Sequence, residues 1–177
     1  MIRFGFQLTR EEYFRFNYYT AWASPQRKQY RQRYFARVIF FYTAVAFLYL
    51  FANRSSFFWV DIAVFAVVGS IYLLLTPVFI RWSVRKKVRD ILSKKENQHV
   101  LEDAEVILSE TGIIDRDAVS ESRYNWDAIV RYAETADSHY LYTNSYYAIV
   151  IPKRVILTEA DRREMEKLLA VHLPLQA

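Results

Sequence analysis

The chain contains no cysteine among its 177 residues. Disulfides, thiolate nucleophiles and cysteine-based metal sites are therefore excluded. Glycine occurs at Gly5, Gly69 and Gly112 alone, too sparse for a loop that cradles phosphates. His99, His139 and His172 are widely separated and share no metal-ligand spacing. No serine stands in a G-x-S-x-G elbow, and the acids of the C-terminal half are scattered as on a solvated face. These absences predict a protein that is not an enzyme and needs no metal or cofactor.

What the chain has in quantity is apolar and aromatic surface, 53% hydrophobic and 18% aromatic residues. Its net charge of +5 is unevenly distributed. Residues 1–37 carry eight Lys/Arg and two acids, and residues 81–95 carry seven and one. Between these basic blocks, residues 38–80 hold only Arg54 and Asp61, whereas residues 96–177 carry eight Lys/Arg against fifteen acids. Charge segregated in this way points to a membrane protein rather than a nucleic-acid binder.

Two apolar runs lie between the basic blocks, Val38 to Ala52 and Phe57 to Ile80. With Tyr34 to Arg37 added, the first is long enough to cross a hydrocarbon core of about 30 Å; the second is ample. The spacing predicts helices over about 34–52 and 57–80, joined by the four residues Asn53 to Ser56 as a transmembrane hairpin. Trp59, Tyr72 and Trp82 stand near the ends of the second run as interface anchors would. Lys and Arg crowd both outer flanks, so the positive-inside rule predicts a multi-pass protein of the bacterial inner membrane with both termini in the cytoplasm. No short apolar run followed by a small-residue cleavage site opens the chain, and no signal peptide is expected.

Before the hairpin, Ile2, Phe4 and Phe6 alternate with Arg3, Gly5 and Gln7, which predicts a short strand. Thr9-Arg10-Glu11-Glu12 has the form of a capping box, opening an amphipathic helix to about Ala23. Ser24-Pro25 then gives a second helix start. Residues 1–37 are thus read as an N-terminal cytoplasmic arm, 38–80 as the hairpin and 81–95 as a basic juxtamembrane helix or linker. Residues 96–177 are read as a soluble α+β domain. In that domain, strands are predicted over Ala104 to Leu108, from Gly112, over Glu121 to Trp126, Ile129 to Thr135, Tyr140 to Thr143 and Tyr147 to Ile151. The polar Ala136-Asp137-Ser138-His139 serves as a link. A last helix starts at Thr158, with Met165, Leu168, Leu169 and His172 as its apolar stripe. A curved antiparallel sheet closed by a C-terminal helix is the arrangement of a pleckstrin-homology-type (PH-like) domain.

Several segments together resemble the YcxB-like family of small bacterial membrane proteins. They are FGFQLTREEYFRF, the two adjacent spans, and the stretch from Ser109 to Leu157 with Trp126, Ile129, Glu134, Tyr140-Leu141-Tyr142, Ala148 and Pro152-Lys153-Arg154. The resemblance implies membrane location and a cytoplasmic β-rich domain. It carries no catalytic residues.

The candidate binding residues are cations. Lys153 and Arg154 follow an apolar strand, and Arg27, Lys28, Arg31, Arg85, Lys86 and Lys87 flank the spans, where anionic headgroups would meet them. Asp61 and Arg54 are the intramembrane polar residues. Asp61 lies about 6 Å past the start of the second span and within reach of Arg54. The leading expectation is a non-enzymatic membrane-anchored protein whose PH-like domain binds a partner protein, another copy of itself or lipid headgroups. The competing one is an oligomeric small-solute or ion transport component with Asp61 facing its interior. Nucleic acid is not an expected partner.

Overall fold

A computed structural model describes residues 1–53 and 58–173. The chain divides into two compact units. One joins Met1–Thr20 to Lys87–Ala177; the other is Ala21–Lys86.

The first unit contains seven strands in two antiparallel sheets. Strand β1 (Ile2–Gln7) opens the chain, and β2 (Asp103–Ser109), β3 (Gly112–Arg116) and β4 (Glu121–Tyr124) follow it in the order β1-β2-β3-β4. The second sheet is β5 (Arg131–Glu134), β6 (Ser138–Tyr142) and β7 (Ala148–Pro152). Helix α1 (Arg10–Tyr18) follows β1, and α4 (Glu159–His172) ends the unit. The N-terminal strand is thus an integral edge of the first sheet. This corrects the separation of residues 1–37 from 96–177, because the inward residues Ile2, Phe4 and Phe6 find their apolar cover only against β2 and the core beneath it.

One core cluster lies where the two sheets and α4 meet. It gathers Ile2, Phe4, Val106, Leu108 and Ile113 from the first sheet and Leu141, Ile149 and Ile151 from the second. Met165, Leu168 and Leu169 come from α4. Of the stripe predicted for the last helix, Met165, Leu168 and Leu169 are buried and His172 is partly so, and the Thr158 hydroxyl accepts the Asp161 N–H at 3.0 Å as its cap. Trp126 belongs to this core: its indole donates to the Ser109 carbonyl at 2.9 Å and stacks on the His172 ring at 4.8 Å.

A second cluster lies on the other face of the β5–β7 sheet, where Phe16 of α1 packs on Tyr140, Tyr142 and Val150. The Phe16 and Tyr140 rings meet edge to face at 5.4 Å, and the Thr20 and Tyr142 hydroxyls are hydrogen-bonded at 2.8 Å. Alternate residues of a strand point to opposite faces. A strand covered on both sides therefore shows no polar alternation, and Ser138 to Tyr142 are all buried. That also corrects the reading of Ala136 to His139 as a polar link. The turn closes earlier, where the Thr135 N–H and hydroxyl both donate to the Ser138 carbonyl at 2.9 Å, and His139 pairs with Glu134 inside the sheet.

In the other unit, α2 (Lys28–Ala52) and the following α3, which begins at Phe58, run far beyond a soluble helix's usual length. Helix α3 itself continues to Leu92, so the basic stretch after Ile80 is helical and carries the chain back into the strand-rich unit. The helices meet through aromatic and hydroxyl contacts. The Tyr42 hydroxyl donates to the Phe65 carbonyl at 2.6 Å, and the Tyr34 and Tyr72 hydroxyls lie 3.1 Å apart. Gly69 allows this approach: a Cβ there would stand 2.9 Å from the Tyr42 ring. Both helices are long and apolar enough to cross a membrane, and 0% and 6% of their most apolar windows is buried.

The hairpin between β2 and β3 depends on Gly112, whose φ of +156° disfavours any side chain. A Cβ would also sit 2.4 Å from the Tyr124 carbonyl oxygen. Gly112→Ala should therefore destabilise the strand-rich unit by about 2 kcal/mol or more, read as a lowered denaturation midpoint with unchanged m-value.

Candidate functional site

Lys153 and Arg154 sit where β7 ends at Pro152, and both are engaged by acids of their own chain. Lys153 Nζ lies 2.5 Å from Glu134 Oε1. Arg154 Nε donates to Glu12 Oε1 at 2.7 Å, and its Nη2 donates to Glu12 Oε2 at 3.0 Å and to the Gln7 carbonyl at 2.6 Å. This two-pronged grip holds the β1–α1 corner against the end of β7, and a planar guanidinium suits it better than an ammonium would.

Glu12 does two jobs at once. As the third residue of α1 it closes the predicted capping box, accepting the Thr9 N–H at 2.8 Å while its own N–H donates to Thr9 Oγ1 at 3.1 Å. Burial pushes its carboxyl up, but the bonds from Arg154 and Thr9 outweigh burial and hold it below the usual carboxylate range. The sequence showed the capping role because the spacing is local. The ion pair, 142 residues away, left no mark on either neighbourhood.

Beside Lys153 lies a polar cluster that the sequence did not single out. The Tyr132 hydroxyl and His139 Nδ1 are 2.7 Å apart, and the same hydroxyl reaches Glu134 Oε2 at 3.4 Å. Pairing of Glu134 with His139 across β5 and β6 creates this proximity. Burial lowers the His139 pKa; the Glu134 charge opposes this, while Lys153 and Arg162 reinforce it. The Lys153 bond keeps Glu134 ionised by lowering its pKa, against the opposing effect of burial. Burial pushes the Tyr132 phenol well up, and the neighbouring Glu134 adds to it. A neutral imidazole beside a protonated phenol and a paired carboxylate forms a satisfied hydrogen-bond network.

A carboxyl displaced in the opposite direction is that of Asp115, on β3 two residues past Ile113 and hence on the same, core-side face. It stands between Val106 and Ser122 across the sheet. Burial, with the Asp117 charge next, raises its pKa from 3.8 to about 6.

The flanking cations fall into two local groups. Arg27, Lys28 and Arg31 lie at the start of α2, where Arg31 donates to the Trp22 carbonyl and, at 3.0 Å, to the Ser24 carbonyl. Arg85, Lys86 and Lys87 share one turn of α3, with Lys86 Nζ 5.8 Å from the centre of the Trp82 ring. Lys28 and Lys87 are exposed. Asp61 is half-buried in the first turn of α3, where the helix dipole favours a carboxylate. Arg54, its expected neighbour, lies outside the described residues. Among the described residues no three of His, Asp or Glu gather as metal ligands would.

A family model described as YcxB-like protein matches residues 108–169, from the end of β2 through most of α4. The family resemblance read from the sequence is therefore shown over that segment. No curated protein and no solved structure matches the chain.

Two outcomes follow from this geometry. Arg154→Ala should lower the stability of the strand-rich unit by about 1–2 kcal/mol, since it strands a Glu12 side chain that is only 13% exposed. Amide hydrogen exchange should accelerate in β1 and α1 more than in β3 and β4. For Asp115, the sign follows from the raised pKa. The folded state disfavours the charged carboxylate, so its penalty appears as pH rises from 3.8 and is complete above about 6. Asp115→Asn should stabilise the protein at neutral pH by up to about 3 kcal/mol, and this gain should vanish in thermal melts below the unfolded-state pKa.

Proposed function

We propose that this chain, YcxB-like over residues 108–169, is a non-enzymatic, membrane-anchored interaction protein of the bacterial inner membrane. Its apolar helices form a hairpin through the bilayer. Its strand-rich unit is PH-like and works in the cytoplasm, on a partner protein, a second copy of the chain or lipid headgroups.

The observation that carries the reading is the exposure of α2 and α3. Their most apolar windows have mean hydropathies of 1.9 and 2.3 and are almost wholly unburied. Phe40, Phe41, Phe47 and Phe51 on α2, and Leu74, Val78 and Phe79 on α3, are each more than half exposed. A soluble protein would leave so much apolar surface in water at a cost of about 25 cal/mol per Å²; a bilayer removes that cost.

Dimensions support the same reading. At about 1.5 Å per residue, α2 is roughly 38 Å long and α3 roughly 52 Å, against a hydrocarbon core of about 30 Å. The excess of α3 is its basic end. Trp59 and Trp82, 79% and 64% exposed, lie about 35 Å apart along α3, a separation suited to anchors in opposite interfaces. Strand pairing supports the even number of crossings. The chain leaves the strand-rich unit after Thr20 and re-enters it at Lys87, so whatever lies between must start and finish on one side of the membrane. A cleaved leader does not fit, because β1 precedes α2 and is paired with β2.

The PH-like assignment rests on a four-stranded and a three-stranded antiparallel sheet closed by a C-terminal helix. An interaction role rather than catalysis is favoured by the state of the polar groups described above, which are satisfied by one another.

The native chain lacks cysteine, so single introduced cysteines report topology directly. The protein should stay in the membrane pellet after alkaline carbonate washing. Ser55→Cys should react with an impermeant maleimide in intact spheroplasts, and Ser120→Cys only after lysis. Release by carbonate, or reaction of Ser120→Cys in intact spheroplasts, contradicts the proposal.

A further inference from the structure

We infer that Arg33 and Arg37 form a binding site for the phosphate group of an anionic phospholipid at the base of the hairpin. The inference rests on the membrane reading above and adds a ligand and two residues to it.

A groove of about 400 Å³ runs along one face of the start of α2, lined by Gln26, Gln29, Tyr30, Arg33, Tyr34 and Arg37. These positions follow one another at helical intervals of three and four, so they share a face. The volume falls within the range of about 300–1,000 Å³ usual for small-ligand sites. Its chemistry is one-sided. Arginine side chains only donate hydrogen bonds, the glutamine amides and the Tyr30 hydroxyl can donate as well, and no carboxylate lines the groove. The Tyr34 hydroxyl is already held by Tyr72. Trp22 meets the Tyr30 and Tyr34 rings edge to face at 6.3 and 5.8 Å, which fixes that wall.

Arg33 and Arg37 are both exposed and stand four residues apart, about 6 Å along the helix. Like charges at this spacing repel, and an anion seated between two guanidinium groups converts that repulsion into attraction, each arginine offering a planar fork to phosphate oxygens. The neighbouring Arg31 differs because backbone carbonyls of Trp22 and Ser24 take up one of its terminal nitrogens. Depth selects the source of the phosphate. The uncharged run from Val38 to Ala52 begins immediately after Arg37, so on the membrane reading this groove opens at headgroup level.

The full-length protein reconstituted in phosphatidylcholine nanodiscs, with or without phosphatidylglycerol, tests the site. Bound phosphatidylglycerol is measured by native mass spectrometry. The double variant Arg33→Gln/Arg37→Gln should bind it about thirtyfold more weakly than the native chain, from about 1 kcal/mol per removed charge. Arg163→Gln/Lys167→Gln, which removes the same charge from the exposed face of α4, should bind it nearly as well as the native chain. Equal loss in both double variants, or none in either, overturns the site. Inorganic phosphate bound by the native chain in pure phosphatidylcholine, with no preference for phosphatidylglycerol, overturns the lipid assignment. Failure of the protein to enter nanodiscs at all contradicts the membrane reading instead, and circular dichroism of each variant separates loss of binding from loss of fold.

Discussion

Six residue pairs, from Ile2 with Leu108 to Gln7 with Asp103, join the first strand to one that begins after the whole hairpin has been made. Closing a loop over the intervening residues 8–102 costs on the order of 4 kcal/mol in chain entropy. Ile2, Phe4 and Phe6, each no more than 9% exposed, return about 6 kcal/mol through burial. The balance is favourable but small, so secondary fastenings matter. Arg154 supplies one by gripping Glu12 and the Gln7 carbonyl together. Helix α1 supplies another by covering the aromatic face of the β5–β7 sheet through Phe16. An edge strand held in this way also shields the backbone groups of β2 that would otherwise invite foreign strands.

Closure of this kind dictates what the middle of the chain can be. Residues 21–86 are an insertion in a folded unit that exists on both sides of them in sequence. Their basic ends, and a centre whose charges are Arg54 and Asp61 alone, support the proposed excursion into lipid and back. The basic residues are not equivalent in this arrangement. Arg154 and Lys153 are committed to holding the strand-rich unit together, Arg31 to fixing the backbone before α2, and Lys86 to covering Trp82. Charge counting alone groups all of them as headgroup contacts; geometry separates those with internal partners from Arg33 and Arg37, which face an open groove.

The parts of the fold legible in the sequence are those whose cause is local. Alternation in Ile2 to Phe6, the Thr9–Glu12 capping box and the stripe of α4 each require only a few consecutive residues, and each is found. The two apolar helices were equally plain, because composition over a window suffices. What escaped depends on distant partners. Nothing near Ile2 says that its neighbour is Leu108, so the N-terminal arm read as a separate segment. Ser138 and His139 look solvated by residue type, yet both are buried, with Thr135 turned back on the Ser138 carbonyl and Tyr132 hydrogen-bonded to the His139 ring. Lys153 and Arg154 looked free because Glu134 and Glu12 lie on other elements. For the site, the sequence located the cations; it could not tell which ones the fold had already used.

The account stands or falls on the closure of the strand-rich unit by its N-terminal strand. Two soluble chains test this directly: residues 87–177 alone, and residues 1–20 joined to 87–177 by a flexible glycine-serine linker in place of the hairpin. Urea denaturation followed by tryptophan fluorescence reads Trp126, the one tryptophan both chains retain. The account predicts a cooperative transition for the linked chain and none, or one at much lower urea, for residues 87–177 alone. Equal transitions in the two chains would contradict it.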